Sequence, residues 1–282
     1  MTVYLVANTH KPEAIRLLQM AAQVLAQEGV TLLADGCDGQ LAADAFPGRV
    51  LATEKAFEQA DVVVSIGGDG TMLQAARHTM MHKKPLLGVN IGRLGFLTNI
   101  ESDEVENLRR LARGDYWVEQ RSVIRADIEY MDAAPALALN DLVLCKASAE
   151  RAVVLDIFCD DIFVSHVRGD GVIIATPTGS TAYSMSAGGP IVDARLGGIV
   201  VTQICAHIVH TPPLVLSPER ILRVVPQGTD DEKVALVCDG KQAVELQNGR
   251  PVLIRQSEWT VPLVQFNAAE QLESIDRKLK GR

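Results

Sequence analysis

Asp61-Val62-Val63-Val64-Ser65-Ile66, then Gly67-Gly68-Asp69-Gly70-Thr71, then Met72-Leu73-Gln74-Ala75-Ala76-Arg77 reads as an apolar strand, a glycine turn and a helix. A strand that passes through glycines into a helix leaves backbone N–H groups at the positive end of the helix dipole, which suits a phosphate group. Asp69 is out of place in a plain anion cradle, because its carboxylate repels phosphate. It fits if it holds a metal ion or takes a proton from a hydroxyl that attacks phosphorus. The loop is neither of the commoner glycine motifs. Read as G-x-G-x-x-G from Gly68 it has Leu73 at the third glycine, and no Gly-Lys-Ser/Thr ending occurs in the chain. Taken alone, the five residues also suit an ordinary strand-to-helix turn.

The flanks repeat the alternation. Val3 to Ala7 and Thr31 to Ala34 read as strands, Pro12 to Gln27 as a helix that Pro12 starts and Gly29 stops, and Pro85 to Asn90 as a further strand. This predicts an α/β domain with a parallel sheet over residues 1–118. Ligands of such sheets gather beyond the carboxyl ends of the strands, where Gly67 to Thr71 falls. After Trp117 the texture changes to short Val- and Ile-rich runs: Ala152 to Phe158, Ile162 to Val167, Gly171 to Ala175, Gly198 to Ile204, Ile221 to Val225, Val234 to Cys238 and Pro251 to Arg255. Turn-formers such as Cys159-Asp160-Asp161 and Gln247-Asn248-Gly249 separate them. A β-rich, mainly antiparallel C-terminal domain over 119–267 follows, with hairpins. Residues 268–282 return to helical composition and are expected to dock on the first domain.

The 282 residues, 48% of them apolar, suffice for two cores. A net charge of −8 with no Lys/Arg block argues against polymeric nucleic acid as a partner. Five scattered cysteines without a Cys-x-x-Cys pair suit reduced thiols, and no run has the length of a membrane span or a secretory core. A cytoplasmic protein without membrane partners is expected.

Thr176-Pro177-Thr178-Gly179-Ser180-Thr181-Ala182-Tyr183-Ser184-Met185-Ser186 is dense in hydroxyls and small residues, either to bind a polar ligand or to cap a short helix. Arg168-Gly169-Asp170-Gly171 sets a cation and a carboxylate two residues apart. Asn140-Asp141 interrupts an apolar run, an expensive place for a carboxylate unless it is paired or faces a ligand; an Asx turn is the alternative. Gly92-Arg93-Leu94-Gly95-Phe96-Leu97-Thr98 follows the Pro85 to Asn90 strand and should lie near Asp69 if the sheet is parallel. His78, His82, His207 and His210 lack a third metal ligand and read as packing or surface groups.

Together, Gly67 to Thr71, Gly92 to Thr98, Asn140-Asp141, Gly169 to Pro190 and Cys238-Asp239-Gly240 resemble the ordered signatures of the NAD kinase family through nearly the whole chain. Gly-Gly-Asp-Gly is shared with diacylglycerol kinases, sphingosine kinases and 6-phosphofructokinases; the run from Asp170 to Tyr183 is far more specific. The resemblance implies transfer of the terminal phosphoryl group of ATP, with a divalent metal (Mg), to the 2′-hydroxyl of the adenosine ribose of NAD. It makes Asp69 the base, with Gly67, Gly68 and Gly70 giving room for phosphates. Asn140 and Asp141 would hold the adenosine part. Thr181, Ala182 and Tyr183 would line the adenine pocket with Phe96 against it, and Thr178, Ser184 and Ser186 would lie nearby. Asp170 would face the nicotinamide end, and Arg151, Arg168 and Lys241 would take further contacts. The resemblance also implies a phosphofructokinase-like α/β N-terminal domain joined to the β-rich C-terminal domain, and a homo-oligomer, tetramer or dimer. Two departures stand out: Pro212 replaces an arginine, and Lys241 a glutamine. A lipid kinase of the diacylglycerol type and a non-catalytic dinucleotide sensor are the rival readings.

Overall fold

A computed structural model describes residues 1–35, 47–92, 95–147, 151–207, 212–228, 232–267 and 272–276, with the backbone alone at 242–243. The chain forms two compact units, Met1–Gln120 with Val261–Arg282, and Arg121–Thr260. It runs through β1 (Thr2–Ala7), α1 (Pro12–Gln27), β2 (Thr31–Asp35), β3 (Arg49–Leu51), α2 (Thr53–Gln59), β4 (Val62–Gly67), α3 (Asp69–His82), β5 (Leu86–Asn90) and α4 (Leu108–Ala112). Then follow β6 (Trp117–Asp127), β7 (Ala136–Ala138), β8 (Asp141–Lys146), β9 (Val153–Cys159), β10 (Ile162–Gly169) and β11 (Gly171–Ala175). The last elements are α5 (Tyr183–Ser186), β12 (Ile199–Ile204), β13 (Leu214–Leu216), β14 (Leu222–Gln227), β15 (Val234–Cys238), β16 (Lys241–Leu246) and β17 (Val252–Gln265).

In the first unit β3, β2, β1, β4, β5 and the end of β17 lie side by side, all parallel. Every residue of β4 and β5 is buried, as is Val261–Gln265. Parallel strands covered on both faces require unbroken apolar runs, which explains Val62-Val63-Val64. Helix α1 buries Ala14, Leu17, Leu18, Ala21, Ala22, Val24 and Leu25, a three-and-four spacing that puts one face on the sheet. Each of its large aliphatic groups contributes about 1.5–3 kcal/mol by burial. From β1 the order runs outward to β2 on one side and to β4 on the other. The direction of winding thus reverses between β1 and β4, where such sheets open a crevice at the carboxyl ends.

The second unit has two antiparallel layers, β13-β12-β11-β8-β15-β16 and β10-β9-β14 with the start of β17. One core joins their inner faces, with Leu142, Leu144, Val172 and Ile174 from the first and Leu155, Ile157, Val224 and Ile254 from the second. Strand β9 alternates strictly between buried and half-buried residues, the pattern of a sheet with one covered face. Asp160 and Asp161, both with positive φ, turn β9 into β10 as a hairpin. The turn at Gln247-Asn248-Gly249 instead joins strands of different sheets, β16 and β17, so it is a crossover and not a hairpin. Strand β17 runs ten residues past Arg255, where the sequence reading ended it, and changes from alternating to continuous burial on the way. Residues 272–276 are helical, and the rest of the expected C-terminal helix lies outside the described residues. Among the described residues no helix is long and apolar enough to cross a membrane.

Candidate active site

Strand β4 ends at Gly67, Gly68 is extended, and α3 starts at Asp69 with no side chain capping it. A Cβ on Gly67 would run into the Thr71 side chain, so only glycine fits; Gly68 and Gly70 face open space among the described residues. Asp69 is half-buried. Its Oδ2 accepts the N–H of Phe96 at 3.1 Å and its Oδ1 the N–H of Leu97 at 3.2 Å. Two successive amides therefore fix the plane of the carboxylate. The contact follows from the parallel pairing of β4 with β5, Gly67 opposite Asn90, which brings the two following loops to the same edge. A Cβ on Gly95 would sit 2.5 Å from both Asp69 Oδ1 and Thr98 Oγ1, so any side chain there would displace the carboxylate. Thr98 Oγ1 is buried without a hydrogen-bond partner among the described residues.

The second unit gathers its own polar cluster. Asn140 and Asp141 are 8% and 5% exposed at the start of β8. Burial first, and the Asp239 carboxylate second, push the Asp141 carboxyl up to about 7. Gly179 packs on the Asn140 backbone, where a Cβ would lie 2.0 Å from the carbonyl oxygen, and Thr176 donates its N–H to that same oxygen at 2.9 Å. Many hydroxyls of the Thr176–Ser186 stretch are spent on other groups of the protein. Thr176 Oγ1 donates to the Leu139 carbonyl, Ser180 Oγ to that of Pro177, Thr181 Oγ1 to that of Thr178, and Ser184 Oγ pairs with Thr202 Oγ1. Thr178 Oγ1 and Asn140 Oδ1 are buried with no hydrogen-bond partner among the described residues. Tyr183 is 46% exposed; partial burial first, then Cys145, Cys205, Asp170 and Asp141 around it, push its phenol up.

Asn140, Asp141, Asp170 and the turn from Thr178 to Tyr183 thus form one neighbourhood, with Ala182 half-buried and Ser186 exposed. Asp170 forms an ion pair with Lys146, Nζ to Oδ1 2.7 Å, which holds its carboxyl below the usual range. Arg151 and Arg168 are exposed, before β9 and near the end of β10, and Lys241 is exposed at the start of β16. Phe96 is half-buried, while Arg93 and Leu94 lie outside the described residues. His78 and His82 stack on Phe57 and pair with Glu54; His210 and Cys37 lie outside the described residues. Sequence reasoning gave no role to Asp239, Gly95 or Lys146. The Asp-Gly turn was a usable signal for Asp239, whereas Lys146 has no local one.

A parallel α/β unit with an oriented carboxylate at a glycine turn is followed by an antiparallel β unit with a buried polar cluster, and in this order the two units match the two domains of an ATP-dependent kinase class. Residues 3–116 match the ATP-NAD kinase N-terminal domain and residues 139–266 the ATP-NAD kinase C-terminal domain. The chain is 34% identical over 277 residues to an NAD kinase of Geotalea daltonii, covering 97% of this chain and 96% of that one. It is 35% identical over 228 residues to an NAD kinase of Acetivibrio thermocellus, covering 80% and 79%. Among solved structures, an NAD kinase from Archaeoglobus fulgidus in complex with ATP matches with TM-score 0.76 at 26% identity, covering 100% of both chains. Yeast NADH kinase complexed with NADH shares the fold, TM-score 0.87 at 24% identity, covering 99% and 87%. The chain belongs to the ATP-NAD kinase family.

Proposed function

We propose that the protein transfers the terminal phosphoryl group of ATP to the 2′-hydroxyl of the adenosine ribose of NAD, giving NADP, with Asp69 as general base. The observation that carries this reading is the Asp69 carboxylate gripped by the amides of Phe96 and Leu97 beside an uncapped helix start. The carboxylate takes the hydroxyl proton as the ribose oxygen bonds to the γ-phosphorus; the bond from that phosphorus to the β–γ bridging oxygen breaks, and ADP leaves. Open space at Gly68 and Gly70 lets phosphates approach the backbone, and the dipole of α3 favours their charge. Most of the acceleration comes from alignment. Magnesium enters as part of the ATP substrate. Among the described residues no group of three or more His, Cys, Asp or Glu could hold an ion of its own, and magnesium commonly rides on the phosphates of its substrate.

Asn140 and Asp141 hold the adenosine part, a role supported by the unpartnered Asn140 Oδ1 and Thr178 Oγ1. Thr181, Ala182 and Tyr183 line the adenine site with Ser184 and Ser186 nearby, and Phe96 packs on the base. Asp170 addresses the nicotinamide end, and Arg151, Arg168 and Lys241 make outer contacts. The protein works in the cytoplasm as a homo-oligomer, dimer or tetramer. Exposed Ile162, Phe163 and Val164 on the edge strand β10 support a second copy covering that edge. The test is incubation with ATP, magnesium and NAD, following NADP. Phosphorylation of diacylglycerol instead, or NAD binding without turnover, would sink the proposal.

A further inference from the structure

Asp239 and Gly240 make the two-residue turn between β15 and β16, with φ of 47° and 68°, the type I′ geometry that both Asp-Gly and Asn-Gly favour. The turn therefore needs no charge at its first position. What the charge meets is far away in sequence. Asp239 Oδ2 accepts the N–H of Leu139 at 3.0 Å, and Oδ1 accepts those of Asn140 at 2.8 Å and Asp141 at 3.2 Å. The Asp239 N–H returns a bond to the Asp141 carbonyl at 3.0 Å. Asp239 is 9% exposed, so the link between β7 and β8 cannot rotate without breaking buried, charge-assisted bonds. On the segment so held, Asn140 Oδ1 lies buried with no partner among the described residues, as does Thr178 Oγ1 on the neighbouring turn. A buried acceptor left open costs stability, and a ligand that completes it removes the cost.

We propose that Asp239 is a positioning residue for the dinucleotide: through the N–H groups of Leu139, Asn140 and Asp141 its carboxylate presets how Asn140 and Asp141 meet the adenosine part. The inference rests on the reading of Asn140 and Asp141 as dinucleotide ligands. Asp239 acts through them and touches no substrate itself.

The experiment is NAD and ATP saturation kinetics on wild type, D239N, N140A and the double variant, with a thermal midpoint for each. D239N keeps the turn preference and one acceptor oxygen while removing the charge. The expected result is a KM for NAD raised about tenfold, kcat within about threefold and KM for ATP unmoved, since a misdirected ligand loses binding before chemistry. The double variant should be no worse than N140A alone, because the two act on one element. A wild-type KM in D239N, or effects that multiply in the double variant, overturns the inference alone. A wild-type KM in N140A overturns the ligand reading and this role with it. Should D239N fail to fold, hydrogen exchange on unliganded wild type decides. Amides 139–141 protected before NAD is added support the role, and amides that exchange freely until NAD is added overturn it.

Discussion

Asp69 in the first unit and Asp239 in the second are both gripped by successive backbone amides, two for Asp69 and three for Asp239. They differ in exposure. Asp69 is half-buried at a helix start, whereas Asp239 is 9% exposed inside a hairpin turn. The amides orient both carboxylates, but only the Asp69 carboxylate is left partly open to solvent. On the proposed reading the same device serves as a base in one place and a fixed strut in the other, and burial separates the two.

Replacing the open carboxylate tests this contrast hardest. Asp69→Asn should lower kcat for NADP formation about a thousandfold while the thermal midpoint moves little, because general-base catalysis and not packing is lost. Full activity in that variant would break the comparison at its first member.

Asp141 sharpens the second member, since Asp239 is one of the two causes that push its carboxyl up to about 7. The folded chain then holds this proton to higher pH than the unfolded chain, whose value is the ordinary 3.8. Stability therefore falls as pH rises from about 4 through about 7, and the cost is fully present above that window. Asp141→Asn should remove the slope, gaining on wild type by a few kcal/mol between pH 5 and 8 in denaturant titrations. Parallel curves for the two proteins would show that burial beside Asp239 imposes no such cost.

Gly95→Ala probes the open site from its floor. The new Cβ falls 2.5 Å from Asp69 Oδ1, so the carboxylate must turn away, and kcat should drop about 10- to 100-fold with the NAD dissociation constant kept. Isothermal titration beside steady-state rates separates the two quantities. The smallest effect belongs to Thr178→Val. Removing a buried, unpartnered hydroxyl should leave the thermal midpoint unchanged or slightly raised, while KM for NAD rises about threefold. A clear loss of stability would mean that this hydroxyl has a structural partner.

Much of the first unit was legible because its determinants are local. The Pro12 start, the Gly29 stop and the apolar face of α1 lie within one stretch, and the helix is seen where they place it. The strand, glycine turn and helix around Asp69 were equally readable, as was the antiparallel character of the second unit. The continuation of β17 to Gln265 was not, because Val261–Gln265 gains its strand partner from Leu86, far off in sequence. Nor did the Gln247-Asn248-Gly249 turn reveal that it joins two sheets, since turn residues fix a reversal and not the partner of the strand that follows.

From its own residues the chain determined the alternation that builds a parallel sheet, the glycine turn, the carboxylate within it and the family signatures, all set by side-chain size, backbone freedom and periodicity over a few positions. Tertiary structure alone decided which amides hold Asp69, why residue 95 must lack a Cβ, that Lys146 pairs with Asp170, and that Asp239 grips residues 139–141. Hydrogen bonds and burial depend on distance in space, and spacing along the chain fixes that distance only within a turn or two.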